Sequence, residues 1–166
     1  MNETPQNEKK SKRVISLENA ERQFRVLEEY YDLDEDDMID DLDESSEDAT
    51  GDEIDEAGKA GYRMARKRLL RAIMCGLLEI KEDGNTLRVV QKLRKPPADL
   101  GGAEIVYNEI TGQSKIPMSK HKDTNIYGKI YAFLSGLSGH PEAIFRNMRG
   151  ADLSIAESLG AVFLRV

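Results

Sequence analysis

Apolar side chains recur with helical spacing in the C-terminal part of the chain. Between Ile126 and Leu137 they fall at i, i+1, i+4, i+7, i+8 and i+11, which predicts an amphipathic helix that ends at Gly139. Pro141 suits the first turn of a second, shorter helix. A third apolar face lies between Ile155 and Phe163. Three short helices are therefore predicted over 124–164, and they must pack on each other or on a partner because isolated helices of this length are marginal in water.

Upstream of these helices the pattern changes to the two-residue alternation of β-strands. It predicts a β-hairpin whose turn contains Asp83–Gly84. A second hairpin is predicted around Thr111–Gly112, with Glu104–Ile110 and Ser114–Ile116 as its strands. The two hairpins predict a small antiparallel sheet of three or four strands over 77–117.

The N-terminal half has less apolar surface. Residues 1–31 comprise a polar, lysine-rich tail and a helix that begins at Ser16, with a thin apolar stripe that docks on the domain or on a partner, or folds only on binding. Another helix is predicted over 58–79. The predicted fold class is α+β: two hairpins and a bundle of short helices in a globular domain of 58–166, preceded by an N-terminal helix and a disordered acidic linker of 32–57.

Charge is distributed unevenly along the chain, whose formal net charge is −7. Fifteen Asp or Glu and no Lys or Arg fall between Asp32 and Glu56. Such a segment cannot bury enough apolar surface to offset its ordering entropy. Residues 57–95 instead carry eleven Lys or Arg against three acids. We interpret the acidic segment as a solvated linker, or as an arm that covers a basic surface of this chain or of a partner.

Calcium binding is an alternative for the start of the acidic segment. Positions 1, 3, 5 and 12 of an EF-hand-like loop are matched by Asp32, Asp34, Asp36 and Asp43. However, Asp37 stands where the loop needs glycine, and Asp43 replaces the bidentate glutamate. The main interpretation is therefore that the protein holds no metal and no cofactor.

The predicted helix 58–79 presents a cationic face beside its apolar stripe. This face consists of Arg63, Arg66, Lys67, Arg68 and Arg71. A solvated face is the simpler interpretation, and a nucleic-acid-binding regulator is the alternative. In that alternative, the helix and the hairpin 77–93 form a winged-helix-like element. The acidic segment takes the place of the packed helix that such an element needs, and it would repel DNA.

No residue arrangement typical of catalysis is visible. His121 and His140 stand far apart, Cys75 is the single cysteine, and there is neither a Gly-rich phosphate loop nor a nucleophile elbow. One cysteine favours a reducing compartment, and no apolar run reaches the length of a transmembrane helix. We therefore expect a cytoplasmic, non-enzymatic protein that makes no membrane contact.

The second half of the chain carries a family resemblance. The strand pair around Asp83–Gly84 is followed by the stretches Tyr131–Ser138, Met148–Leu153 and Ala161–Leu164. Over Leu78–Leu164, about half the chain, this order resembles the tail assembly chaperones of long-tailed bacteriophages, particularly the Mu-like tail assembly proteins. The long acidic segment, the basic helix and the separate N-terminal helix depart from that pattern.

The resemblance implies a protein that binds the apolar, helical tape-measure protein in the host cytoplasm before the tail tube polymerises around it. The implied partners are the tape-measure protein and the tail-tube protein, with homo-oligomer formation left open. An apolar helix needs such a temporary cover in water. The candidate residues for covering it are Tyr127, Ile130, Phe133, Leu134, Leu137, Phe145, Met148, Val162 and Phe163. The alternative is that these side chains form the core of the domain.

Overall fold

Six α-helices and a three-stranded antiparallel sheet make up the part of the chain that the computed structural model describes, residues 13–34 and 51–166. The helices are α1 (Leu17–Tyr30), α2 (Gly51–Met74), α3 (Gly112–Lys115), α4 (Ile126–Ser138), α5 (Glu142–Arg146) and α6 (Gly150–Phe163). The strands are β1 (Leu78–Asp83), β2 (Thr86–Lys92) and β3 (Glu104–Tyr107). This architecture confirms the α+β class, with an N-terminal helix and a sheet that precedes a group of short helices.

The sheet has the order β1-β2-β3. β1 and β2 form the predicted hairpin, in which Leu78 pairs with Gln91 and Asp83 pairs with Thr86. Gly84 in its turn has φ 64°, a conformation that glycine adopts without strain. β3 pairs antiparallel with β2. Of the three or four strands predicted, the sheet of the described residues therefore has three.

The second predicted hairpin does not form. Residues 112–115 are helical as α3, and Ile116–Lys120 continues as a 3-10 helix. Ser114 Oγ accepts a hydrogen bond from the N–H of Thr111 at 3.0 Å and donates to the carbonyl of Thr111 at 2.7 Å. These local bonds satisfy the backbone in a helical turn, so the expectation of a returning strand at 114–116 is wrong.

The basic helix is longer at its start and shorter at its end than the predicted range of 58–79. α2 begins at Gly51, so the last residues assigned to the acidic linker are helical. α2 ends because Gly76 has φ 69°, and the N–H groups of Gly76 and Leu77 bond to Ile73 O and Ala72 O, both at 2.9 Å. The linker prediction for 35–50 lies outside the described residues.

α2 packs between α1 and α6, and α4 packs against α5, α6 and β3. A single apolar core joins these helices to the sheet. Phe24 and Leu27 of α1 are fully buried in it, and the N–H groups of Val14 and Ile15 bond to Met74 O at 2.7 and 3.2 Å. Of the alternatives for the N-terminal helix, the structure therefore shows docking on the domain.

The crossing of α4 and α6 depends on a glycine. A Cβ atom at Gly160 would lie 2.6 Å from Ile130 Cγ2, which is closer than van der Waals contact allows. We expect Gly160→Ala to lower the free energy of unfolding by about 1–2 kcal/mol, because this clash outweighs the gain in helix propensity. Urea denaturation measures the change.

The matched control is Gly61→Ala in α2. A Cβ atom at Gly61 would meet only the Arg165 side chain at 3.4 Å, so this change should be neutral or stabilising by up to about 1 kcal/mol. Equal stability of the two variants would contradict the close crossing.

Candidate functional site

Most of the apolar residues predicted to cover a partner helix lie in the core. The buried ones are Ile130, Phe133, Leu134, Leu137, Phe145, Met148, Val162 and Phe163. Only Tyr127 of the predicted set is exposed, at 62%. The structure thus corrects the partner-surface interpretation for these eight residues, which contact elements of their own chain and present no surface to a partner.

Aromatic contacts show how two of these residues are used. Phe163 meets Tyr31 edge to face, with ring centroids 5.9 Å apart, and so joins the end of α6 to the end of α1. Phe145 lies 6.3 Å from the ring of Tyr107 on β3. Helical periodicity identifies an apolar face, but it is the same whether that face meets a core or a partner.

The structure shows a groove between α1 and α2 that the sequence did not predict. It encloses about 590 Å³. Its lining consists of Arg13, Leu17, Glu21, Arg63, Arg66, Lys67, Leu70, Arg71, Met74 and Cys75. Leu70 and Met74 are buried at its base, while Leu17 is 50% exposed at its edge. We call this feature the α1–α2 groove; it combines an apolar base with a largely cationic border.

Contacts on both sides of this groove hold α1 and α2 together. At one end, Met74 O accepts the backbone bonds described above. Towards the other end, Glu28 Oε1 accepts from Tyr62 Oη and from Arg66 Nε, both at 2.8 Å. Arg66 also lies over the ring of Phe24, 5.3 Å from its centroid. The hydrogen bond to Glu28 raises the pKa of Arg66. Because Arg66 contacts both Glu28 and Phe24 of α1, this member of the predicted cationic face serves the packing of α1 on α2.

The remaining predicted cations are divided between two surfaces. Arg63 and Lys67 line the α1–α2 groove, Arg68 lines a neighbouring cleft, and Arg71 lines both. The neighbouring cleft encloses about 300 Å³ between α2, the residues after β2 and the start of α6, where Arg94 joins the two arginines of α2.

A further cleft of about 330 Å³ adjoins the previous one through Arg94 and Ala151. It adds Lys95 and Arg149 to the cationic surface. We call the two adjoining clefts together the α2–α6 cleft; its cations are Arg68, Arg71, Arg94, Lys95 and Arg149. Sequence reasoning missed the last three, because a pair of cations before a proline and an arginine before a glycine look like ordinary surface residues.

Asp152 fixes the geometry of the α2–α6 cleft. It is only 1% exposed, and its carboxylate accepts the N–H of Arg94 at 3.0 and 3.1 Å and the N–H of Lys95 at 2.8 Å. The carbonyl of Asp152 accepts from Gln91 Nε2 at 2.7 Å, and Gln91 Oε1 accepts from Tyr107 Oη at 2.7 Å. Burial raises the pKa of Tyr107, which therefore remains a donor. The network holds the residues after β2 against the start of α6.

The hairpin is not placed as the wing of a winged helix. Its turn lies beside the end of α1, where Tyr30 Oη donates to Glu109 and lies 3.1 Å from the carbonyl oxygen of Asn85. The bond to Glu109 raises the pKa of Tyr30 to about 12. A helix does pack on α2, namely α1, but residues 31–50 separate the two in sequence in place of a short turn. The arrangement of helix and hairpin therefore differs from a winged helix.

Among the other polar candidates in the described ranges, His121 contacts a carboxylate of α5. His121 Nε2 lies 3.0 Å from Glu142 Oε2, which also pairs with Arg146 at 3.1 Å. Within the described ranges, no three His, Cys, Asp or Glu side chains are placed to hold a metal ion. Asp32 and Asp34 of the calcium alternative are exposed, and Asp36 and Asp43 lie outside the described residues.

Among the described helices, none is long and apolar enough to cross a membrane.

The candidate site consists of the α1–α2 groove and the α2–α6 cleft. Models of protein families, curated proteins and solved structures show no match to this chain.

Proposed function

We propose that this protein is a non-enzymatic tail assembly chaperone that holds a helix of its partner, the tape-measure protein, in the α1–α2 groove. The observation that carries the proposal is the groove itself, an open channel between two helices with an apolar base. A helix laid in such a channel buries its apolar stripe and leaves its other faces in water.

Leu17 provides the exposed apolar side chain of the groove. Leu17 is 50% exposed, and the buried side chains of Leu70 and Met74 lie below it. Full burial of one leucine contributes about 1.5–3 kcal/mol. A leucine-rich stripe that covered Leu17 would gain about half of this contribution from Leu17, which is already half buried, and a further contribution from its own leucines.

The charges around the groove favour acidic residues on the partner helix. Arg13, Arg63, Lys67 and Arg71 border it, and Glu21 is the one carboxylate among its described lining residues. Opposite charges speed association and fix the register of the two surfaces. The aliphatic stems of Arg and Lys also extend the apolar contact. The fitting ligand is therefore an amphipathic helix with carboxylates beside its apolar stripe.

The order of elements supports the same class of protein. β1 and β2 flank the turn at Gly84, β3 follows, and α4, α5 and α6 complete the chain over Leu78–Leu164. This is the order on which the resemblance to tail assembly chaperones rests. Because the apolar faces of α4 and α6 are used in the core, the proposal assigns partner binding to the helices at the other end of the chain.

Leu17→Glu is expected to weaken chaperone action without unfolding the protein. Co-expression of the wild type with an apolar helical segment of the tape-measure protein from the same genome should keep that segment soluble and co-purify with it. A carboxylate at Leu17 would face the apolar stripe, and we expect binding at least about ten-fold weaker, a difference of about 1.4 kcal/mol. The measurement is the soluble, co-purified fraction of the segment.

Met64→Glu is the matched control. Met64 is also an exposed apolar residue of a helix, at 57%, but it does not line the groove. It should retain full co-purification, and thermal melts should show that both variants are folded. Failure of the wild type to co-purify the segment, or equal loss in both variants, would contradict the proposal.

A further inference from the structure

We propose that the α2–α6 cleft is a second binding site, for the phosphodiester backbone of a nucleic acid. The inference goes beyond the proposed function, because it concerns another surface and another class of ligand. It also differs from the winged-helix alternative, since three of its five cations come from outside α2.

Chain folding brings these cations together from three separate parts of the sequence. Arg68 and Arg71 come from α2, Arg94 and Lys95 from the residues after β2, and Arg149 from the residue before α6. The two clefts that they line adjoin through Arg94 and Ala151. The result is one continuous cationic surface rather than the solvated face of one helix.

Four of the five cations of this surface have no ion-pair partner among the residues that the structure describes. Arg68, Arg71, Lys95 and Arg149 form no ion pair with any residue in the described ranges. Among the described lining residues, Asp152 is the only acid, and its carboxylate is directed to backbone N–H groups. Four of the five cations are arginines, whose planar guanidinium groups bind phosphate oxygens in pairs.

The site is also held in place before any ligand arrives. Asp152 and Gln91 tie the residues after β2 to the start of α6, as described above. Arg94 and Lys95 therefore keep their positions relative to Arg149. A fixed site loses less conformational entropy when it binds than surface side chains on a loose loop.

The lining residues favour a nucleic acid over a protein helix. The α2–α6 cleft is built from the side of one helix, a loop and the start of another helix, whereas the α1–α2 groove is lined by two helices along their sides. A polymer with regularly spaced phosphates can follow such a surface. Among the described residues, no aromatic side chain lines the cleft. Bases have nothing to stack on, so binding should depend on phosphates and show little sequence preference.

The experiment is a salt titration of DNA binding by the full chain. The probe is a short fluorescein-labelled DNA duplex, followed by fluorescence anisotropy. Five phosphate contacts should give a slope of log K against log salt of about −4 to −5. The triple variant Arg68→Gln/Lys95→Gln/Arg149→Gln should bind at least ten-fold more weakly, with a slope smaller by about 3. Duplexes of different sequence should bind alike.

A charge-matched control is Arg25→Gln/Lys120→Gln/Lys122→Gln. These three residues are exposed and line neither the groove nor the cleft. The control should keep most of the affinity and the steep slope. The first triple variant should still co-purify the tape-measure segment, because none of its three positions lines the α1–α2 groove. A failure of this inference is thereby separated from a failure of the proposed function.

The acidic segment needs a variant of its own, since nine carboxylates and no cation fall within 35–50. In that full-length variant every Asp or Glu of 35–50 becomes Asn or Gln. Tighter DNA binding by this variant that is still lost with the first triple substitution would support the site. Absence of binding by both the wild type and this variant, or equal losses in the two triple variants, would overturn it. Binding of an acidic peptide but not DNA at the cleft would overturn it as well.

Discussion

Replacing Phe133 by alanine is expected to lower the free energy of unfolding by about 3–5 kcal/mol. Phe133 is fully buried on α4, which packs against α5, α6 and β3. Removal of its ring takes away both its burial and its contacts, and rigid neighbours cannot fill the cavity completely. Urea unfolding followed by circular dichroism measures the loss.

Tyr127→Ala is the control on the same helix. Tyr127 is exposed, so its truncation should change stability by less than about 0.5 kcal/mol. The comparison also distinguishes the two interpretations of the apolar residues in 124–164. If Phe133→Ala were as stable as Tyr127→Ala but no longer bound the tape-measure segment, the core interpretation would be wrong.

Asp152→Ala should be the next most damaging substitution, with a loss of about 2–4 kcal/mol. The N–H groups of Arg94 and Lys95 would lose their acceptor, and each unsatisfied donor costs about 1–3 kcal/mol. Asp152→Asn keeps one acceptor oxygen and should lose less. Asp99→Ala, which removes an exposed carboxylate, should change stability by less than about 0.5 kcal/mol.

Hydrogen exchange of backbone amides is a second, local test of the Asp152→Ala prediction. Protection of the amides of Arg94 and Lys95 should fall in Asp152→Ala and stay normal in Asp99→Ala. Unchanged protection at both amides would show that Asp152 does not hold this loop. Asp152→Ala should also weaken DNA binding, although it removes no cation, because Arg94 and Lys95 would no longer be fixed beside Arg149.

Local signals in the sequence predicted part of the fold correctly. Alternation and a glycine turn gave the β1–β2 hairpin, and apolar spacing with a glycine stop gave α4, whose C-cap Gly139 has φ 72°. These features depend on residues close together in the chain. The predicted returning strand at 114–116 failed because the hydroxyl of Ser114 bonds to the backbone of Thr111, a local preference that alternation of apolar residues does not reveal.

The candidate site was harder to predict because it depends on tertiary packing. The apolar stripe of α4 was visible in the sequence, but only the fold shows that the sheet and α6 cover it. Arg68, Arg94 and Arg149 lie far apart in the sequence, and no periodicity links them. The α1–α2 groove was not predicted either, since it requires that α1 docks beside α2. The thin apolar stripe of α1 left that docking as one of several alternatives.

Arg71 and Cys75 belong to both the α1–α2 groove and the α2–α6 cleft. A carboxylate on a bound helix and a phosphate on a bound nucleic acid would compete for the same guanidinium. The two ligands would therefore bind with negative cooperativity, and linkage requires each to weaken the other by the same factor. A protein built in this way would exchange one ligand for the other, with a single arginine side chain coupling the two binding equilibria.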